Sequence, residues 1–227
     1  MSAPISIIIP TLDAADHLPV CLESLLPGVA AGLVREVVIS DGGSSDQTLD
    51  IAVDAGCEIH TSEPGRGTQL RSGAATARGD WFLFLHADTA LSPDWVERVG
   101  AHIERGPSMA AAFSLVYRSD APEARWLARR ANLRSRWFGL PYGDQGLLIS
   151  RSLYSEVGGH LDQPLMEDVA IVRAIGRKRL AILSAEARTS ADKYERDGWR
   201  KRAYSNAWLL MRYLMGASPD ELAKAYR

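Results

Sequence analysis

Apolar residues in the N-terminal part of the chain come in short continuous runs, each closed by a polar turn. Ile5-Ser6-Ile7-Ile8-Ile9 stops at Pro10, Glu36-Val37-Val38-Ile39-Ser40 at Asp41-Gly42-Gly43, and Trp81-Phe82-Leu83-Phe84-Leu85 at His86-Ala87-Asp88; Cys57-Glu58-Ile59-His60 is a shorter run of the same kind. Runs of this length, flanked by Gly and Pro, read as strands, and unbroken apolarity marks burial on both faces. Between them apolar residues recur at helical spacing, as in Leu18, Leu22, Leu25 and Leu26. Ser45 or Asp46 can cap a second helix reaching about Ala55, and Gly65-Arg66-Gly67 opens a third. Four strands alternating with three helices predict βαβ units, a parallel sheet and right-handed crossovers.

Beyond Asp88 the pattern loosens. A helix is predicted from near Pro93, a strand over 109–117, and a helix over 123–138 carrying Arg125, Arg129, Arg130, Arg134 and Arg136. A short strand over 146–149, a helix over 151–157, a helix opening at Glu167-Asp168 and a last strand over 180–183 follow. The tail is helical, with Ser218-Pro219-Asp220-Glu221 as a start signal. The expected architecture is α/β: a Rossmann-like, mixed but mainly parallel sheet flanked by helices, with a helical C-terminal tail. No repeat or linker divides it, so 1–227 reads as one domain, with a nucleotide-binding half over 1–90, a second half over 91–185 and a tail over 186–227. No G-x-G-x-x-G or P-loop sequence supports a dinucleotide or P-loop site.

Composition narrows the partners. Apolar residues at 46% and charged residues at 24% suit a soluble globular protein. With 26 basic against 28 acidic side chains there is no positive excess for a polyphosphate backbone, which argues against nucleic acid. Cys21 and Cys57 have no metal-ligand spacing and read as small buried thiols, consistent with a reducing, cytoplasmic compartment. No signal peptide is expected at the N-terminus, and no window reaches the length of a membrane span. The most apolar helical stretch, 207–215, is expected to pack as core; a dimer face or peripheral contact with the inner membrane face are the alternatives.

Three acidic positions stand at element ends that should converge on one edge of the sheet. Asp88 falls just past the carboxyl end of a central strand, where open α/β sheets bind ligands. It could hold a divalent cation on a phosphorylated ligand, or merely cap the following helix. Asp41 could be only a turn former, and Glu167-Asp168 only acids at a positive helix end. Together they suggest a nucleotide reader, a metal carboxylate and a general base.

Ile7-Ile8-Ile9-Pro10-Thr11-Leu12-Asp13, Val38 to Asp46, Phe84 to Thr89 and Met166-Glu167-Asp168 resemble, in order, the motifs of family-2 glycosyltransferases of the GT-A fold, over roughly 5–183. With Gly65-Arg66-Gly67, Gly143-Asp144-Gln145-Gly146 and the Trp199 tail, the pattern is similar to a compact bacterial subgroup of them. The resemblance implies that Pro10, Thr11 and Asp13 line a nucleotide pocket and that Asp41 hydrogen-bonds the base. His86, Ala87 and Asp88 would occupy the metal motif, Asp88 ligating Mg²⁺ or Mn²⁺ on the donor diphosphate. Asp168 would be the general base, with Glu167 beside it. Arg66 is a candidate for the diphosphate, Arg71 reads as a solvated helix charge, and Gln145 could contact donor or acceptor. Arg188, Lys193, Arg196 and Arg200 sit where such enzymes place a basic lid, and equally form a solvated face. Two departures stand out: Asp13-Ala14 replaces Asn-Glu, and His86 replaces the first acid of Asp-x-Asp, where imidazole suits positioning the diphosphate better than binding Mg²⁺.

The expected function is metal-assisted, inverting transfer of a sugar from a nucleotide-diphosphate sugar to an acceptor hydroxyl on a lipid or small molecule. The alternatives are a nucleotidyltransferase, disfavoured because 11–17 is acidic and lacks glycine, and a non-catalytic nucleotide-sugar-binding protein.

Overall fold

The computed structural model describes residues 3–226. The four apolar runs lie side by side as β1 (Ile5–Thr11), β2 (Val34–Asp41), β3 (Glu58–Thr61) and β4 (Trp81–Phe84), all parallel in the order β3-β2-β1-β4. They are joined through α1 (Leu18–Ala30), α2 (Thr48–Asp54) and α3 (Arg66–Thr76), as the βαβ pattern predicts. The same sheet continues through β5 (Thr89–Leu91), β6 (Ala110–Tyr117), β7 (Leu147–Ser150) and β8 (Leu180–Thr189) to give eight strands in the order β3-β2-β1-β4-β7-β6-β8-β5. Here β7 runs antiparallel to both β4 and β6, β6 pairs in parallel with β8, and β5 lies antiparallel on β8. The remaining helices are α4 (Trp95–Ile103), α5 (Pro122–Phe138), α6 (Arg151–Glu156), α7 (Glu167–Ile175), α8 (Asp192–Asp197), α9 (Trp199–Leu214) and α10 (Pro219–Tyr226).

The unbroken apolarity of the central strands follows from burial on both faces. Ile5, Ile7, Ile9, Leu83 and Leu85 point into one cluster with Trp95 and Phe113; Ile8, Phe82 and Phe84 point into another with Leu153 and Ile171. Pro10 does not end its strand as expected. In a parallel strand its missing N–H would face β4, whose pairing with β1 stops at Phe84 opposite Ile8, so no ladder bond is lost and β1 continues to Thr11.

Two further expectations change. The last strand does not stop at 183 but runs to Thr189, because Ala185 and Ala187 alternate inward between outward Glu186 and Arg188. The 207–215 stretch is not a core helix: on α9 only Leu209 is buried, while Trp208, Met211, Leu214 and Met215 are exposed. Leu209 and Leu222 anchor the tail against Met166 and Val169 of the α7 end. Both cysteines are free; burial raises their thiols, Cys57 to about 11 and Cys21 further, so both stay protonated. Among the described residues no helix is long and apolar enough to cross a membrane.

Two helical glycines make a matched test of this packing. A Cβ on Gly28 of α1 would lie 2.3 Å from the ring of fully buried Trp95, whereas one on Gly100 of α4 meets open space. Gly28→Ala is expected to cost about 1–3 kcal/mol by overpacking. Gly100→Ala is expected to gain about 0.5–1 kcal/mol from helix propensity. Denaturant unfolding of both variants checks this, and effects of the same sign would contradict the packing described.

Candidate active site

The site is built where β1, β2 and β4 end. Thr11 and Asp41 stand in register, and the Thr11 hydroxyl donates to Asp41 Oδ1 at 2.8 Å. The backbone N–H groups of Gly43 and Ser44 both donate to Asp41 Oδ2 at 2.8 Å, and the Ser44 hydroxyl donates to Oδ1. Burial works against ionisation of Asp41, but these donors outweigh it and hold the carboxyl below its usual range. The loop after β1 is fastened to the loop after β2: Asp13, in left-handed backbone at φ 49°, accepts from Ser45 N–H, and Ala14 and Ala15 donate to Thr48 and Asp46. Asp41 is thus saturated by its own loops, so a base reaching it must displace one of those donors. Gln69 on α3, not singled out from the sequence, locks the same corner: its buried amide donates to the carbonyls of Thr11 (2.6 Å) and Ser40 (2.9 Å).

Past β4, Ala87 turns its methyl into the core, leaving His86 and Asp88 as the chemical side chains of that motif. Burial, with the charges of Arg66 and Lys193, pushes His86 down to about 3, so its ring is neutral at neutral pH. Asp88 precedes β5 and does not cap α4, which begins beyond β5. Its carboxylate accepts long hydrogen bonds from the hydroxyls of Thr89 (3.2 Å) and Thr189 (3.4 Å), and its carbonyl accepts from Arg118 (3.1 Å). Burial raises Asp88, but at the acid pH where it would titrate His86 also takes up charge and, with Lys193 and Arg66, outweighs burial, so the carboxyl stays below its usual range and is ionised beside a neutral ring at neutral pH. Lys193 therefore bears on the site, whereas Arg188 and Arg196 are committed to Glu186 and Asp197.

Asp168 comes from the other half of the chain, in the first turn of α7. Its Oδ2 accepts from Gly143 N–H at 2.7 Å and its Oδ1 from Val169 N–H at 2.7 Å. Gly143 also packs so tightly on His86 that a Cβ there would lie 2.6 Å from Nε2. One glycine thus joins the 86–88 segment to the carboxylate of the second half. A narrow cleft follows, lined by Leu70, His86, Tyr142, Gly143, Glu167 and Asp168. Glu167 is buried beneath it, 3.8 Å from Arg66 Nε; burial and the Asp168 charge raise it to about 7 against the pull of Arg66. Arg71 is exposed, as expected.

Two residues of the 143–146 turn differ from expectation. Gln145 faces no ligand: it is fully buried, accepting from the Ser135 hydroxyl (2.6 Å) and donating to the Phe113 carbonyl (2.8 Å). Its Gly-rich setting suggested a binding loop, but the glycines are there for close packing on His86 and Phe113. Asp144 was not among the sequence candidates, yet burial pushes it up to about 6, Arg134 opposing and Asp168 and Asp88 adding to the rise. Its Oδ1 has no hydrogen-bond partner among the described residues.

Among the described residues no three His, Cys, Asp or Glu side chains group to hold a metal by themselves.

Two outcomes follow. Glu167 favours its protonated form when folded, so folding takes up a proton and stability falls as pH rises from 4.5 towards about 7. Glu167→Gln is expected to flatten that decline in melting temperature; parallel wild-type and variant curves would contradict the buried acid. Gly143→Ala must push His86 and the turn apart, with an expected loss of stability of about 1–3 kcal/mol. Chemical denaturation of Gly143→Ala beside Gly100→Ala, whose surroundings are open and whose backbone is helical, isolates the clash; no loss in Gly143→Ala relative to Gly100→Ala would count against the close approach.

Residues 6–161 match the model of Glycosyl transferase family 2. A PGL/p-HBAD biosynthesis glycosyltransferase of Mycobacterium bovis is 35% identical over 168 residues, 70% of this chain and 64% of that protein. The chain therefore spans 64% of the length of that curated relative. A glucosyl-3-phosphoglycerate synthase of Mycolicibacterium paratuberculosis is 34% identical over 93 residues, 37% of this chain and 28% of that protein. Among solved structures, glucosyl-3-phosphoglycerate synthase of Mycobacterium tuberculosis with Mn²⁺ and uridine-diphosphate-glucose superposes with a TM-score of 0.60 at 22% identity, covering 82% of this chain and 71% of that one. Residues 1–349 of S. aureus TarS give 0.62 at 17% identity, covering 98% and 70%. These likenesses fit the GT-A arrangement of the sheet, and the match over 6–161 places this chain in glycosyl transferase family 2.

Proposed function

We propose that the chain transfers a sugar from a nucleotide-diphosphate donor to an acceptor hydroxyl with inversion at the anomeric carbon. One observation carries the reading: Gly143, whose N–H holds Asp168, packs against His86, two residues before Asp88, and so brings carboxylates of different origin to one end of the sheet. Asp88 is held ionised after β4, and Asp168 is anchored on α7 by backbone N–H groups. Inversion requires a base across the sugar from the leaving diphosphate, and a base from a different part of the chain than the metal carboxylate meets that requirement. The glycosyltransferase relatives, and the neighbour bound to Mn²⁺ and uridine-diphosphate-glucose, support sugar transfer from a nucleotide donor.

In this reading the fastened loops at Pro10, Thr11, Asp13 and Asp41 form the floor for the nucleoside. Asp88 is the protein ligand for Mg²⁺ or Mn²⁺. When bound, that ion offsets the negative charge that grows on the departing diphosphate. Neutral His86 offers a hydrogen bond to a phosphate oxygen, and Arg66, at the start of α3, supplies a guanidinium fork. Asp168 takes the proton from the acceptor hydroxyl as its oxygen attacks the anomeric carbon. Its two backbone donors fix the carboxylate's orientation without using all its acceptor capacity. Glu167 beneath it, near half-protonated at neutral pH, keeps Arg66 in place without adding a full negative charge.

A thermal-shift screen of UDP-, GDP-, ADP- and TDP-sugars, with and without Mn²⁺, tests the donor site. One nucleotide class should raise the melting temperature only with metal, since ligand bound to the folded state stabilises it. Asp88→Ala should abolish that shift. Asp168→Asn should keep it while slowing donor turnover by about 10²–10⁴-fold, the usual contribution of a general base. No shift with any donor would contradict the transferase reading, and full turnover in Asp168→Asn would remove Asp168 as the base.

A further inference from the structure

A second, wider cavity of about 860 Å³ lies between the carboxyl end of β6 and one face of α5. Its walls include Leu115 and Tyr117 from β6 and Ala124 and Ala128 from α5, and four arginines stand around it: Arg118, Arg125, Arg129 and Arg136. The last three recur at helical spacing and so share one face of α5. Asp120 is the one acid among the lining residues. Several arginines elsewhere are paired, Arg78 with Glu36 and Glu58, Arg98 with Asp94, Arg179 with Glu156, and others such as Arg35, Arg71 and Arg105 stand singly at the surface rather than around a cavity. Among the described residues no carboxylate pairs with Arg125, Arg129 or Arg136. Like charges gathered around a concavity with apolar walls focus a positive potential into it, which a bound anion relieves.

One rim residue also touches the site. Arg118, on its rim, donates to the backbone carbonyl of Asp88 at 3.1 Å. Because β4 and β6 are both antiparallel to β7, their carboxyl ends open on the same edge of the sheet. On α5, Trp126, Trp137 and Phe138 are 51%, 63% and 64% exposed, so the basic helix also carries large apolar surface.

We propose that this cavity receives the anionic end of an amphiphilic acceptor, a phosphate or carboxylate carried on an apolar body. The proposal rests on the transferase reading above and gives its acceptor a chemical class. Arginine is suited to such a group because its planar fork pairs with phosphate or carboxylate oxygens two at a time. The apolar walls from Leu115, Tyr117, Ala124 and Ala128 would cover the part of the body next to that group.

The test is calorimetric titration of the full chain with decyl phosphate below its micelle concentration, with decanol as the uncharged control. Wild type should bind the phosphate and not the alcohol. The double variant Arg125→Gln/Arg129→Gln should bind it about tenfold or more weakly, as expected for losing charge-assisted contacts. The same variant should keep its Mn²⁺-dependent donor shift, which shows that it is folded and reads the donor site separately. Vesicles of phosphatidylcholine with and without phosphatidylglycerol distinguish the source of the anion. Co-sedimentation with the anionic vesicles that the variant loses assigns a lipid headgroup, while decyl phosphate binding without it assigns a dissolved amphiphile. Equal binding of decyl phosphate by wild type and variant, or by neither, overturns the proposal whatever the donor screen shows. A missing donor shift with intact, arginine-dependent phosphate binding would instead count against the transferase reading.

Discussion

The closeness of Gly143 to His86 is the contact on which the rest of the cleft depends. Antiparallel pairing of β7 with β4 lays the turn before β7 across the end of the strand carrying His86 and Asp88. A side chain larger than hydrogen at position 143 would meet the imidazole at 2.6 Å, and the same residue's N–H holds Asp168 at 2.7 Å. The parallel half of the sheet therefore supplies a carboxylate at a strand end, and the antiparallel half supplies a second one on a helix. Neither half contains both, and the single sheet keeps them in register.

Electrostatics sorts the acids of this region into two classes. Asp41 and Asp88 are held ionised, the first by donors of its own loops and the second by surrounding positive charge. Glu167 and Asp144 are pushed by burial towards neutrality near physiological pH. Partial protonation of Glu167, with the positive charges of Arg66 and Lys193 nearby, lowers the net negative charge that a diphosphate would meet there. The arginine-lined cavity behind Arg118 extends that positive character along the same sheet edge.

Much of this was legible because the central strands are buried on both faces. An unbroken run such as Trp81 to Leu85 announces its burial, and the first polar residues after it, His86 and Asp88, announce the sheet edge. The ends of the sheet were harder. β5 is only Thr89–Leu91, and the far half of β8 uses alanines, whose apolarity is too slight to mark a strand. Side-chain direction was harder still. Gln145 and Asp144 are neighbours in one Gly-rich turn, yet the first is consumed by Ser135 and Phe113 and the second is a buried acid beside the cleft. Gln69 bonds to carbonyls far away in sequence, which no local pattern records. The apolar residues of α9 followed a core-like composition but lie mainly on its exposed side.

We propose Asp88 as the lone protein carboxylate for a cation that arrives with the donor, because Asp168 is tied to Gly143 and no three-ligand cluster exists among the described residues. Electron paramagnetic resonance of free Mn²⁺ tests this most directly. The protein alone should leave the Mn²⁺ signal nearly unchanged, and adding the matching nucleoside diphosphate should remove much more of it than the nucleotide does without protein. Tight Mn²⁺ uptake by the protein with no nucleotide present would contradict it.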